Sequence, residues 1–203
     1  LRNYLDEDSS RYRRPIVTHV YREPIELYDR HLYEKGACVY HLLRHELGDE
    51  LFWRSIQYFV NHHAHKTVET IDLIRAIETT TGRNLLPLFD QYVFRGGHPD
   101  YKVSYSWDEE NHLAKVTILQ QQAKPKLKGK DCFDLVIPLD FYTENANDEA
   151  LSVQTFKVRV HEREQSFYFP LAAKPQFLSF DPGNAILKTV EIGNTFCHFQ
   201  CVC

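Results

Sequence analysis

The 203-residue sequence contains no methionine, only five cysteines and no long apolar run. A membrane-spanning helix needs ~20 apolar residues, so a helical span is excluded, and the N-terminus lacks a signal-peptide pattern. Because it begins at Leu1 and has no methionine, the sequence reads as cut from something longer. The cysteines are Cys38, Cys132, Cys197, Cys201 and Cys203, and three of them crowd the last seven positions. An odd count at uneven spacing argues against a secreted disulfide framework, so a reducing, cytoplasmic setting is expected. Excess basic charge is also missing: 24 Lys and Arg against 28 Asp and Glu give a net charge of -4. Nucleic-acid binders show a basic patch or stripe, so that class is disfavoured. The one basic cluster, Arg11, Arg13 and Arg14 before Pro15, is short, and the expectation for it is a solvated segment near a chain end.

What is present is an ordinary globular composition, 43% hydrophobic and 26% charged. The length suits one large domain or two small ones. The first half has helical periodicity. Leu32, Val39, Leu42 and Leu43 set an apolar stripe for a helix from about Pro24 to Leu47, with Gly48 as its C-cap and Asp49 as the next N-cap. Leu51, Phe52, Ile56, Phe59 and Val60 form the face of a second helix. Thr70 is placed to cap a third, with Asp72 near the positive end of its dipole, Leu73, Ile74 and Ile77 inward, and Gly82 at its end. Asn84 is placed to cap a fourth carrying Leu85, Leu88, Phe89 and Tyr92; Gly96, Gly97 and Pro99 prevent its continuation.

After Pro99 the period changes from 3.6 to 2. Alternation begins at Tyr101, Val103 and Tyr105 and continues over Leu113–Gln120, Phe133–Tyr142, Val153–Val160, Ser166–Phe169, Phe177–Phe180 and Ile186–Ile192. Turn signals separate these runs, including Asp108–Asn111, Lys124–Lys130, Asn145–Glu149 and Asp181-Pro182-Gly183. The fold class expected is α+β: a helical segment followed by an antiparallel β-sandwich of about seven strands. The expected domains are residues 1–98 and 99–192, with 193–203 a disordered or non-native tail.

The segment Leu32-Tyr33-Glu34-Lys35-Gly36-Ala37 resembles the Tyr-Glu-Lys-Gly-Ala signature of the aminopeptidase N-type (gluzincin) zinc metallopeptidases. The resemblance continues in order through Leu47-Gly48-Asp49-Glu50, Phe52, Thr67-Val68-Glu69-Thr70, Asp72-Leu73, Ile77-Glu78, Thr81-Gly82, Asn84-Leu85, Phe89 and Gly97-His98-Pro99. It covers roughly residues 11 to 190. It implies the helical end of a thermolysin-like catalytic domain followed by a β-sandwich, in a zinc-dependent enzyme that removes N-terminal residues from peptides. In that family the tyrosine of the signature donates its phenol to the oxyanion, a task suited to a neutral but strong donor. Tyr33 is therefore the one expected catalytic residue. The resemblance also implies partners: peptide substrate, the rest of the catalytic domain and a following helical domain. Helix faces cut from such partners are expected to favour self-association.

The family's His-Glu-x-x-His motif is not in the sequence, and its specificity motif is likewise missing. The zinc ligands are expected upstream of Tyr33, so no metal or cofactor ligand is assigned here and the chain alone is expected to be inactive. His41 and His45 share a helix face at zinc-ligand spacing, but Glu46 follows the second histidine and no third ligand is evident; they read as surface histidines. His62, His63 and His65 read as solvated, and the Cys197–Cys203 run lacks two separated ligand pairs. Glu34 and Lys35 point about 100° apart and are expected to be paired or solvated, with Gly36 permitting close helix packing. The competing functional class is a non-catalytic, peptidase-like scaffold for protein binding.

Overall fold

The computed structural model describes residues 1–124, 131–145 and 148–193. The lysine-rich turn around Pro125, part of the Asn145–Glu149 turn and the cysteine-rich tail lie outside the described residues. The chain divides into two compact units, the first Leu1–Gly97 and the second beginning at His98.

The first unit holds α1 (Arg2–Ser10), a 3-10 turn (Pro24–Leu27), α2 (Glu34–Leu47), α3 (Asp49–His62), α4 (Thr70–Thr81) and α5 (Leu86–Tyr92). Its core is built from Val39, Leu42, Leu43 and Leu47 of α2, Phe52 of α3, Leu73, Ile74, Ala76 and Ile77 of α4, and Leu88, Phe89 and Tyr92 of α5. Gly48 ends α2 and Gly82 ends α4, both at positive φ, where a Cβ would be strained. The cap of α4 lies one residue before the expected Thr70: Glu69 is the N-cap, and Asp72 reaches back to accept its N–H at 2.9 Å. Asn84 accepts the Leu86 N–H at 2.9 Å and so nucleates α5. That helix ends at Tyr92, before the two glycines.

The long helix expected over Pro24–Leu47 is broken. Between the 3-10 turn and α2, Asp29 takes the Leu32 N–H on its own carboxylate at 2.9 Å, which competes with helical pairing. Buried Tyr4 seats α1, which carries no apolar stripe and was not expected. The α3 face is only partly covered: Phe52 is buried, whereas Trp53 and Val60 are more than half exposed.

The second unit comprises β1 (Asp100–Asp108), β2 (Leu113–Gln120), β3 (Leu135–Asn145), β4 (Asp148–Val160), β5 (Glu164–Pro170), β6 (Phe177–Phe180) and β7 (Thr189–Ile192). One sheet has the order β5-β2-β1-β7 and the other β4-β3-β6. Rings contact one another from sheet to sheet, Tyr101 on Phe180 at 5.3 Å and Phe141 on Phe169 at 5.0 Å, enclosing Val103, Val116, Ile118, Ile137 and Leu139. The pairing is antiparallel except for β1 with β7, which is parallel. This corrects the all-antiparallel expectation. β7 also starts three residues late, because Asp181 accepts the Ala185 and Ile186 N–H groups and the Lys188 ammonium, folding that stretch into a buried turn. β3 starts at Leu135 because the Gln120 side chain satisfies both the N–H and the carbonyl of Phe133. The turn expected over Asn145–Glu149 is shorter, since Asn145 pairs with Asp148.

Candidate active-site tyrosine and its carboxylate–histidine cluster

Tyr33 sits at the N-terminus of α2, 58% exposed, on the rim of a cleft of about 490 Å³. Glu7, Tyr12, Asp29, Arg30 and Glu34 line the same cleft. The backbone beneath the phenol is fixed on both sides. Its N–H donates to the Asp29 carbonyl at 3.2 Å, and its carbonyl accepts the Ala37 N–H at 2.8 Å. The ring lies 6.2 Å from Tyr28, and among the described residues the hydroxyl has no hydrogen-bond partner. His31 and Lys35, two residues to either side, are both 0% exposed, so the alternation of the chain anchors the turn inward and projects Tyr33 outward.

Those two anchors carry the local electrostatics. Lys35 donates to the Arg95 carbonyl at 3.1 Å, and its ammonium lies 5.9 Å from the centre of the Tyr4 ring. Burial pushes it down from 10.5 to about 8, with Asp8 acting in the opposite sense. It is therefore partnered and not solvated. A Cβ added at Gly36 beside it would meet nothing within 4 Å in this chain.

His31 lies under Tyr12, stacked at 5.2 Å, and edge-on to Tyr4 at 5.4 Å. Its Nδ1 is 3.5 Å from Asp29 Oδ2 and 3.6 Å from Glu7 Oε1, and its Nε2 is 3.4 Å from Asp8 Oδ1. Arginines surround the carboxylates. Arg14 makes two bonds to Asp29, at 2.5 and 2.7 Å, and Arg13 pairs with Asp8 at 2.6 Å. Tyr12 donates to Asp29 at 2.8 Å, and the Arg30 N–H donates to Glu7 at 3.1 Å. Burial opposes ionisation of Asp29, but the bonds from Arg14, Tyr12 and Leu32 outweigh it and hold its carboxyl below the usual range. The same bond to Asp29 and the burial of the ring push the Tyr12 phenol up to about 12, burial contributing most. Arg14, read from the sequence as solvated, is thus largely buried against Asp29, whereas Arg13 pairs with Asp8 from a half-exposed position.

The histidines of the α2 face, His41 and His45, are exposed, and among the described residues they join no cluster able to hold a metal. The His-Glu-x-x-His motif of the gluzincins does not occur in the sequence. The group that does converge, Glu7, Asp29 and His31, comes from α1 and from the turn before α2, with no local spacing that could announce it. No helix among the described residues is long and apolar enough to cross a membrane.

Comparison with known proteins agrees with this frame. The model of the Peptidase family M1 domain matches residues 1–92. Aminopeptidase N of Haemophilus influenzae is 27% identical over 80% of this chain and 19% of its own length. Probable aminopeptidase 1 of Sulfurisphaera tokodaii is 27% identical over 96% of the chain and 25% of its own. The fold is similar to that of a Legionella pneumophila aminopeptidase A solved in complex with aspartic acid, with a TM-score of 0.70 at 17% identity, over 90% of this chain and 20% of that one. The class to which the sequence match of the first unit points is that of the M1 peptidases. More particularly, the match over residues 1–92 and the aminopeptidase relatives support an M1 aminopeptidase-type fragment, and the chain spans roughly a fifth to a quarter of the length of those relatives.

Proposed function

We propose that this chain is part of a zinc-dependent aminopeptidase that hydrolyses N-terminal residues from peptides, and that Tyr33 supplies the hydrogen bond to the oxyanion. The carrying observation is the phenol itself, exposed on the cleft rim and unpartnered while the residues at 29, 31 and 35 lock its backbone. A neutral phenol donates to an oxygen more strongly as charge grows on it, so the bond favours the transition state over the ground state. Rigid support matters because a donor displaced by about 1 Å can lose a hundredfold in rate. The zinc on which M1 peptidases rely would be held by residues of the whole protein outside this chain. Residues 1–98 then contribute the end of the catalytic domain, and 99–192 support it and lead to the next domain. The chain alone is inactive, acts in a reducing, cytoplasmic compartment, and self-associates through helix faces such as that of Trp53 and Val60.

The test is steady-state kinetics of the full-length parent and its Tyr33→Phe variant on an aminoacyl reporter. A fall of about 10²–10³-fold in kcat, with KM and metal content retained, supports the reading. A parent that is inert towards peptides would instead favour a peptidase-like scaffold that binds proteins.

A further inference from the structure

We infer that Glu7, Asp29 and His31 form a binding site for one divalent transition-metal ion, with zinc as the best-suited occupant. The inference does not depend on the role of Tyr33. Acidic side chains alone would not define a site; the independent observation is His31. Its ring is fully buried, neither nitrogen has a hydrogen-bond partner, and both nitrogens point at carboxylates. An imidazole whose Nδ1 faces only carboxylate oxygens leaves that nitrogen's capacity unused, which is costly unless a further group completes it.

The geometry matches a metal polyhedron. Zinc takes nitrogen and oxygen ligands at about 2.0–2.2 Å, so neighbouring ligand atoms of a tetrahedral ion stand roughly 3.4 Å apart. Nδ1 of His31 is 3.5 Å from Asp29 Oδ2 and 3.6 Å from Glu7 Oε1, and the three ligand atoms fall within 4.8 Å of one another. The two carboxylates supply the negative charge, which they share with Arg14 and Arg30. The mixed nitrogen and oxygen set favours zinc over calcium or magnesium, which prefer oxygen alone.

The outer contacts are those that metal-binding histidines and carboxylates need. Nε2 faces Asp8 at 3.4 Å, a carboxylate placed to accept its proton and leave Nδ1 free as the ligand. Arg14, Tyr12 and the Leu32 N–H orient Asp29, and the Arg30 N–H orients Glu7. Glu7 and Asp29 also line the cleft, which supplies an entry path and room for a solvent ligand in the fourth position.

The test uses the whole 203-residue chain with Cys197, Cys201 and Cys203 changed to serine, so that the tail offers no thiolate. The metal-stripped protein is titrated calorimetrically with zinc and, in parallel, with magnesium. One equivalent of zinc should bind, His31→Gln should abolish that equivalent, and Asp8→Asn should weaken it about 10–100-fold. Magnesium should not compete. Circular dichroism checks that the variants fold. If His31→Gln does not, X-ray absorption of the zinc-loaded parent chain decides: a shell of nitrogen and oxygen with a single imidazole supports the site. Absence of saturable binding, an equivalent that survives His31→Gln, or a shell of several imidazoles from surface histidines would overturn it.

Discussion

Lys35 offers the sharpest test of the electrostatics beneath Tyr33. Its ammonium is fully buried, and burial lowers it from 10.5 to about 8. Below about pH 8 both folded and unfolded chains hold the proton, and the fold bears the cost of a poorly solvated charge. Between about 8 and 10.5 the unfolded chain binds the proton and the folded chain does not, so stability rises with pH. Above 10.5 neither state binds it and the gain is complete. At about 1.36 kcal/mol for each pH unit, the rise amounts to ~3 kcal/mol for the first unit of the structure. Phenols with raised values, such as Tyr4 and Tyr12, act in the opposite sense above about pH 10, so the Lys35 contribution must be read as a difference. The assay is urea unfolding followed by Trp53 fluorescence in a Trp107→Phe background, comparing Lys35 with Lys35→Met from about pH 7 to 10. The wild-type curve should gain on the variant by most of that ~3 kcal/mol. Parallel curves would show that the lysine is not destabilised by burial; a wild-type curve that falls relative to the variant would show that Asp8 holds it charged.

Other expectations concern single contacts. Asp29→Asn removes the charge that Arg14 pairs with and should cost the first unit about 3 kcal/mol, measured by the same unfolding assay. Leu139→Ala hollows the layer between the two sheets and should destabilise the second unit by about 2–5 kcal/mol, read from Trp107 fluorescence. Gly36→Ala meets no neighbour within 4 Å and should stabilise α2 by about 0.5–1 kcal/mol in thermal unfolding; a loss would mean that a surface outside this chain approaches there. Sedimentation velocity over a concentration series should show association that Trp53→Glu reduces, and a monomer at every concentration would contradict the exposed-face reading.

Much of this fold was legible because its signals are local. Gly48 and Gly82 stop helices through positive φ, Asn84 holds the Leu86 N–H at the start of α5, and most strands lie close to their alternating runs. The failures came where a side chain reaches across the sequence. Asp29 interrupts a helix that its own apolar stripe would have continued, and Asp181 delays β7 by taking N–H groups that a strand would have used. Parallel pairing of β1 with β7 joins positions 89 residues apart, and no periodicity encodes it. The site divides in the same way. Tyr33 lies in a contiguous signature, whereas Glu7, Asp29 and His31 are brought together only by tertiary folding. His31 and Lys35 look like surface residues in a polar segment, and only packing against Tyr4 and Tyr12 places them inside.

The parallel seam between β1 and β7 also has a mechanical meaning. The second unit is entered at β1 and left at β7, and these strands run side by side in the same direction. Asp100 is held to Thr189 by a side-chain bond of 2.7 Å, with the Thr189 N–H on the Pro99 carbonyl and the Gly193 N–H on the Val103 carbonyl. Tension applied before β1 and after β7 would load this ladder in shear, so its bonds would bear force together instead of opening one at a time. The short seam thus makes the unit a clasp, stiff along the line of pull.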